Sequence, residues 1–174
     1  MHKLREFEGY QEKHFEIETK FSKHDNNFVI EYRLSGSIDD LVINEKAEHP
    51  CFRDELWKHT CFEAFIQDPK SSAYWEFNFS PSRDWAIYRF ASYRSRIVTE
   101  GELPFELLIQ QERYPRQLIM KVKIKGTPGV KLDGGRAGLS AVLEHKDDSR
   151  SYWALTHLGD KPDFHTIKSF IINL

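Results

Sequence analysis

Apolar side chains in this chain recur at every second position over run after run, and no stretch repeats them at the spacing of an amphipathic helix. Period two is the strand period: alternate residues fall on opposite faces of a sheet, so one face can be buried while the other stays wet. Phe15, Ile17, Thr19 and Phe21 share one face, and Phe28, Ile30, Tyr32 and Leu34 share another. Between them His24-Asp25-Asn26-Asn27 tolerates left-handed backbone, so the two runs form a hairpin. A short apolar piece, Leu41-Val42-Ile43, follows Gly36 and gives way to a polar loop through Pro50. Residues 60–67 set Phe62, Ala64 and Ile66 against Cys61, Glu63 and Phe65. Asp68-Pro69-Lys70-Ser71-Ser72 then turns the chain into residues 73–80, where Trp75, Phe77 and Phe79 oppose Tyr74, Glu76 and Asn78. Strands follow over 84–91, 103–111, 118–125, 138–143, 152–156 and 170–172. About ten short strands with turn residues between them specify an all-β fold. The expectation is one domain over residues 1–174, a single-domain antiparallel β-sandwich, with at most a short helix near Leu132–Ala137.

At 174 residues and 40 % hydrophobic content, the chain can bury a core without covalent staples. Thirteen Phe, seven Tyr and four Trp favour strands further. A formal net charge of −2 creates no field that would gather nucleic acid or an anionic membrane. There is one local exception. Arg83, Arg89, Arg94 and Arg96 are interleaved with Trp85, Tyr88, Phe90 and Tyr93, and only Asp84 opposes them. Single-strand nucleic-acid binders use that mixture, and so does an amphipathic strand with its arginines in water. Cys51 and Cys61 are too few for a disulfide framework. The first twenty residues are polar, without the apolar segment of a secretory signal, and no run is long enough to span a bilayer. A cytoplasmic protein without a membrane partner is therefore expected.

Glu63 and Glu76 sit inside strands joined by a tight turn, which makes them neighbours on one sheet face, and Asn78 follows Glu76 on that face. Two close carboxyl groups can serve as the acid and base of a glycosidase, hold sugar hydroxyls, or close a buried polar network. Trp57, after the acidic Asp54-Glu55, and Trp153, beside Tyr152 and a His-rich loop, offer rigid indole faces of the kind that pack on the C–H face of a pyranose. His145 with Asp147 and Asp148, or His157 with Asp160, Asp163 and His165, supplies metal-ligand residue types, but the spacing matches no closed zinc pattern. There is no Gly-x-Ser-x-Gly elbow and no glycine-rich phosphate loop ahead of a helix.

Several segments, in this order, resemble a known superfamily. They are Asp54-x-Leu56-Trp57-x-x-x-Cys61-x-Glu63-x-Phe65-Ile66, Tyr74-Trp75-Glu76-Phe77-Asn78-x-Ser80-Pro81, Ser151-Tyr152-Trp153-Ala154-Leu155 and Pro162-Asp163-Phe164-His165. Together they are similar to the DOMON-like superfamily, and within it to bacterial DOMON-like proteins related to the family-nine carbohydrate-binding modules. The resemblance implies a jelly-roll β-sandwich that binds a small molecule, a sugar or a haem, at one end or on one face. For a sugar it implies a ring sandwiched by Trp57 and Trp153, with Glu63, Glu76, Asn78 and His165 as polar partners. Haem-binding members ligate through Met with His or Lys. Met120, the only internal Met, shares a strand face with Leu118 and Val122 and reads as core.

The expected function is a non-catalytic, cofactor-free and metal-free binding domain for a saccharide, stacked between Trp57 and Trp153 and oriented by Glu63, Glu76, Asn78 and His165. Alternatives are a glycoside-active enzyme using Glu63 and Glu76, a haem-binding domain, and a single-strand nucleic-acid binder working through Arg83–Arg96.

Overall fold

The computed structural model describes residues 1–8, 15–98, 101–130 and 132–174, and they form an all-β antiparallel sandwich. The strands are β1 (His2–Glu6), β2 (Glu16–His24), β3 (Asn27–Ser35), β4 (Cys61–Gln67), β5 (Tyr74–Phe79) and β6 (Trp85–Ser92), then β7 (Ser95–Ile97), β8 (Phe105–Tyr114), β9 (Gln117–Gly126), β10 (Arg136–Glu144), β11 (Arg150–Ala154) and β12 (Ile172–Asn173). One layer runs β1-β2-β3-β9-β8, the other β7-β6-β5-β4-β10-β11-β1, with β12 beside β10. β1 pairs with β2 on one side and β11 on the other, so hydrogen bonding continues around one edge of the sandwich. Among the described residues there is no α-helix, only three 3-10 turns at Ile38–Asp40, Leu56–Lys58 and Ile167–Ser169.

The main core lies where the alternating pattern places it. Phe28, Ile30, Tyr32 and Leu34 of β3 and Leu118, Met120 and Val122 of β9 pack against Phe62, Ala64 and Ile66 of β4, Phe77 of β5 and Leu139 of β10. Tyr32 spans the layers: its ring lies 5.1 Å from that of Phe62, and its hydroxyl donates to the Glu63 carbonyl oxygen at 2.6 Å. That bond satisfies a polar group that would otherwise be stranded in the core.

The β2–β3 hairpin forms around Asp25, which takes the left-handed φ of 52°. Other details depart from the sequence pattern. β1 was not expected, because only Leu4 of that segment enters the core. Leu41-Val42-Ile43 makes one isolated bridge, Leu41 to His145, and no ladder. No helix forms near Leu132–Ala137; Gly134 turns the chain at φ +79°, and β10 begins at Arg136. The arginine-bearing strand reverses at Arg94 and pairs with itself as β6 and β7.

The two outer surfaces differ. The β2-β3-β9-β8 layer presents charged side chains to water. Over the other layer lies a second apolar cluster, in which Leu56, Cys61, Phe65, Tyr74, Ala86, Tyr88, Phe90 and Phe170 are buried, with Phe164 and Ile167 packed on them. The segment after β11 supplies that cover.

Candidate functional site

The outer face of β6-β5-β4-β10-β11 carries two rows of side chains in register. Ala86, Asn78, Glu63, Ser140 and Ala154 pair in succession across all five strands. Tyr88, Glu76, Phe65 and Gly138 form the row beside it. Small residues end the first row and polar residues fill its middle, so it forms the floor of a furrow. Gly138 is required here, since a Cβ at that position would come within 2.6 Å of the Phe170 ring that lies over it. At the Ser140 end a shallow crevice with room for about one water molecule is lined by Ser140, Ala154, Thr156, Phe164 and Ser169 among others. It is far smaller than the roughly 300–1,000 Å3 of a drug-sized ligand pocket.

The polar residues of the floor are buried and joined. Glu63 is 2 % exposed, Glu76 5 % and Asn78 not at all. Asn78 Nδ2 donates to Glu76 Oε1 at 2.7 Å, and Ser140 Oγ donates to Glu63 Oε2 at 3.1 Å. The Cys61 thiol reaches Asn78 Oδ1 at 3.6 Å. From above comes His165, whose Nδ1 lies 2.8 Å from the Tyr74 hydroxyl and whose Nε2 lies 3.7 Å from Glu76 Oε2. The Tyr74 oxygen also accepts the Arg94 N–H at 3.2 Å, so one hydroxyl ties His165 to the β6–β7 turn.

Burial governs the charge state. It holds Glu63 well above the usual carboxylate range, reinforced by the charge of Glu76 and only partly offset by Ser140. Glu76 is pushed up to about 7, again first by burial. Burial, followed by the nearby Arg94, takes His165 down to about 4. At neutral pH the histidine is therefore uncharged, and its contact with Glu76 is not an ion pair.

Two clips set the walls. Asp163 accepts from Arg94 Nη2 at 2.9 Å, the Tyr93 hydroxyl at 2.9 Å, the Thr166 hydroxyl at 2.9 Å and the His165 N–H at 3.1 Å. It thereby fastens the segment after β11 to the β6–β7 hairpin and keeps His165 over the floor. Its carboxyl is held below the usual range by those four hydrogen bonds, which outweigh burial. On the opposite wall, Asp54 takes the Tyr88 hydroxyl and the Glu55 N–H, and Glu55 adopts φ 61°. The Leu56–Lys58 turn that follows buries Leu56 against the second cluster and leaves Trp57 46 % exposed, its ring approached by Lys58 Nζ at 5.4 Å.

Of the six residues singled out in the sequence, Glu63, Glu76, Asn78 and His165 come together, and Trp57 stands on a turn packed against β4, β5 and β10. Trp153 does not join them. It pairs with Ala141, projects into the main core at 4 % exposure, and donates its indole N–H to Ser151 Oγ at 3.0 Å. The expected Trp57–Trp153 sandwich is corrected accordingly: the two indoles lie on opposite faces of one layer. Met120 is fully buried on β9, and among the described residues no three His, Cys, Asp or Glu side chains converge as a metal site. The arginines of the Arg83–Arg96 stretch are engaged. Arg89 forks onto Asp68 and lies 4.8 Å from the Trp75 ring. Arg94 meets Asp163, Arg96 lies 4.0 Å over Tyr88 with Asp54 at 3.9 Å, and Arg83 bonds the Ala47 carbonyl. Sequence reasoning missed Ser140 and Tyr74, and it named Asp163 only as a metal-ligand residue type, not as the clip that holds His165. Ser140 shares its face with Gly138 and Val142 by alternation, but nothing local says that β10 lies beside β4.

No protein-family model and no curated protein matches the chain. Solved structures share its fold. A candidate carbohydrate-binding protein from Bacteroides uniformis is 13 % identical over 97 % of this chain and 83 % of its own, with a TM-score of 0.63. A family-nine carbohydrate-binding module from Caldicellulosiruptor kristjanssonii, in complex with glucose, is 9 % identical over 91 % and 76 %, with a TM-score of 0.56. A family-nine module from that organism in complex with cellotriose gives 9 %, 88 %, 71 % and 0.51. At such identities the likeness establishes the fold alone.

Proposed function

We propose that this chain is a non-catalytic saccharide-binding domain whose binding face is the outer surface of β5-β4-β10. The observation that carries the reading is the buried Ser140–Glu63–Asn78–Glu76 group at the centre of a sheet face, rimmed by an exposed tryptophan. Polar groups of this kind orient ring hydroxyls, and one exposed indole supplies an apolar face for stacking. The fold shared with modules solved with glucose and cellotriose supports the same reading.

An affinity in the micromolar to millimolar range is expected, since exposed sites return much of their gross contact energy as desolvation and ordering. Titration calorimetry with mono- and cello-oligosaccharides tests it, using Trp57→Ala as the variant. Trp57 is half-exposed, so its removal leaves the fold in place, and a loss of about tenfold or more in affinity is expected. Undiminished binding by Trp57→Ala would remove the stacking contact from the proposal. Silence from the wild type across the whole panel would remove the saccharide.

A further inference from the structure

The face assigned to saccharides is covered. Glu63, Glu76 and Asn78 are buried beneath Phe164, His165 and Phe170, and the crevice beside them has room for about one water molecule. His165 fills the centre of that cover. Its imidazole meets the rings of Phe65, Tyr74 and Phe90 at centroid distances of 5.3, 5.9 and 5.0 Å, each edge-on. Its two nitrogens face the Tyr74 hydroxyl and the Glu76 carboxyl. A flat ring with polar atoms on its edge, held by aromatic side chains and a few placed polar groups, is how a protein holds a ligand ring. Here the ring belongs to the chain itself.

The segment that delivers His165 is fixed to β10 at its two ends and by side chains between them. At one end the Leu155 N–H donates to the Leu139 carbonyl oxygen at 3.1 Å; at the other, Phe170 packs on Gly138 and Ile172 pairs with Ala137. Among the described residues, no backbone–backbone hydrogen bond joins residues 157–166 to a strand. The ties are His157 to the Arg5 carbonyl oxygen, His165 to Tyr74, and Asp163 to Arg94 and Tyr93, whose side chains are half-exposed. Groups so placed can exchange these bonds for water as the segment lifts, and the ladders beneath stay intact.

We infer that residues 157–166 form a strap that closes the saccharide face from within, with His165 in the place of a ligand ring, and that a sugar binds when the strap lifts. The inference rests on the saccharide reading. A closed strap weakens the apparent affinity in proportion to the open fraction, so loosening it strengthens binding.

The test is titration calorimetry of the full chain with cello-oligosaccharides at pH 7, comparing the wild type with Asp163→Ala and His165→Gly. Both variants are expected to bind about tenfold more tightly. Tyr93→Phe removes one exposed bond to Asp163, is mild enough to leave the fold in place, and should tighten binding by about twofold. Independently of any sugar, His165→Gly leaves an imidazole-shaped space. Millimolar imidazole should therefore raise the unfolding temperature of that variant and leave that of the wild type unchanged. Affinity that is unchanged or weakened in all three variants overturns the strap while saccharide binding stands. Absence of sugar binding from all four proteins removes the saccharide, and the imidazole result then decides the cage by itself: no stabilisation of His165→Gly overturns it.

Discussion

The two outer faces of the sandwich are built from similar alternating strands, yet they meet water in opposite ways. On the β1-β2-β3-β9-β8 face, charges neutralise one another in the open: Lys3–Glu16, Lys20–Glu31, Arg33–Glu31, Lys121–Glu112 and Lys125–Glu106 are surface pairs at 2.6–3.9 Å. On the β6-β5-β4-β10 face the central polar groups are sealed under aromatic side chains, and Glu63 and Glu76 have no lysine or arginine ion-pair partner among the described residues. The first arrangement is solvation of a half-buried sheet. The second holds polar groups out of water at a free-energy penalty, and a ligand surface is a physical reason to retain it.

The comparison can be broken most forcefully at the clip. Asp163→Ala strands four donors and frees the segment carrying His165. A loss of about 2–3 kcal/mol in unfolding free energy is expected, with faster amide exchange on the face of β4 and β5. A change within experimental error, with exchange unaltered, would mean that the cover is held by its apolar contacts alone.

The second test is pH. Glu63 stays protonated in the fold where an unfolded glutamate, with a usual value of 4.5, has ionised, so folding takes up a proton. The stability it confers is full below pH 4.5 and falls as pH rises. Glu76 adds to that fall up to about pH 7. His165 acts with the opposite sign: its depressed value makes stability fall as pH drops from 6.5 toward 4, which offsets Glu76 across that window. The decline left after that offset therefore belongs largely to Glu63. Glu63→Gln, which keeps the shape and has no proton to lose, should flatten it, as read from urea midpoints at pH 5 and pH 8. A variant that declines as steeply as the wild type would place the pH dependence elsewhere.

The smallest effect is expected on the other face. Lys125→Ala removes one exposed pair and should change stability by no more than about 0.5 kcal/mol, further reduced by salt. A loss comparable to that of Asp163→Ala would erase the distinction between the faces.

What could be read in advance depended on distance along the chain. The shared face of Glu63, Glu76 and Asn78 was legible because β4 and β5 are hairpin neighbours, so alternation and one tight turn settle their relation. The arrival of His165 at Tyr74, ninety-one residues away, was not legible, because it depends on Asp163 meeting Arg94 and Tyr93 across the fold. The same holds for the acidic partners of the arginines: Asp68 lies in the turn between β4 and β5, Asp163 beyond β11, and Asp54 in the loop before β4.

The sequence by itself determined most of the strands, most of their faces and the β-sandwich class, because a period-two pattern is a local property and burial follows it directly. The tertiary structure alone decided that β1 joins the two layers, that Trp153 enters the core, and that the segment after β11 roofs the carboxyl row. Those outcomes follow from which strands pair and what covers each face, and alternation does not distinguish a face that meets water from one that meets a second cluster.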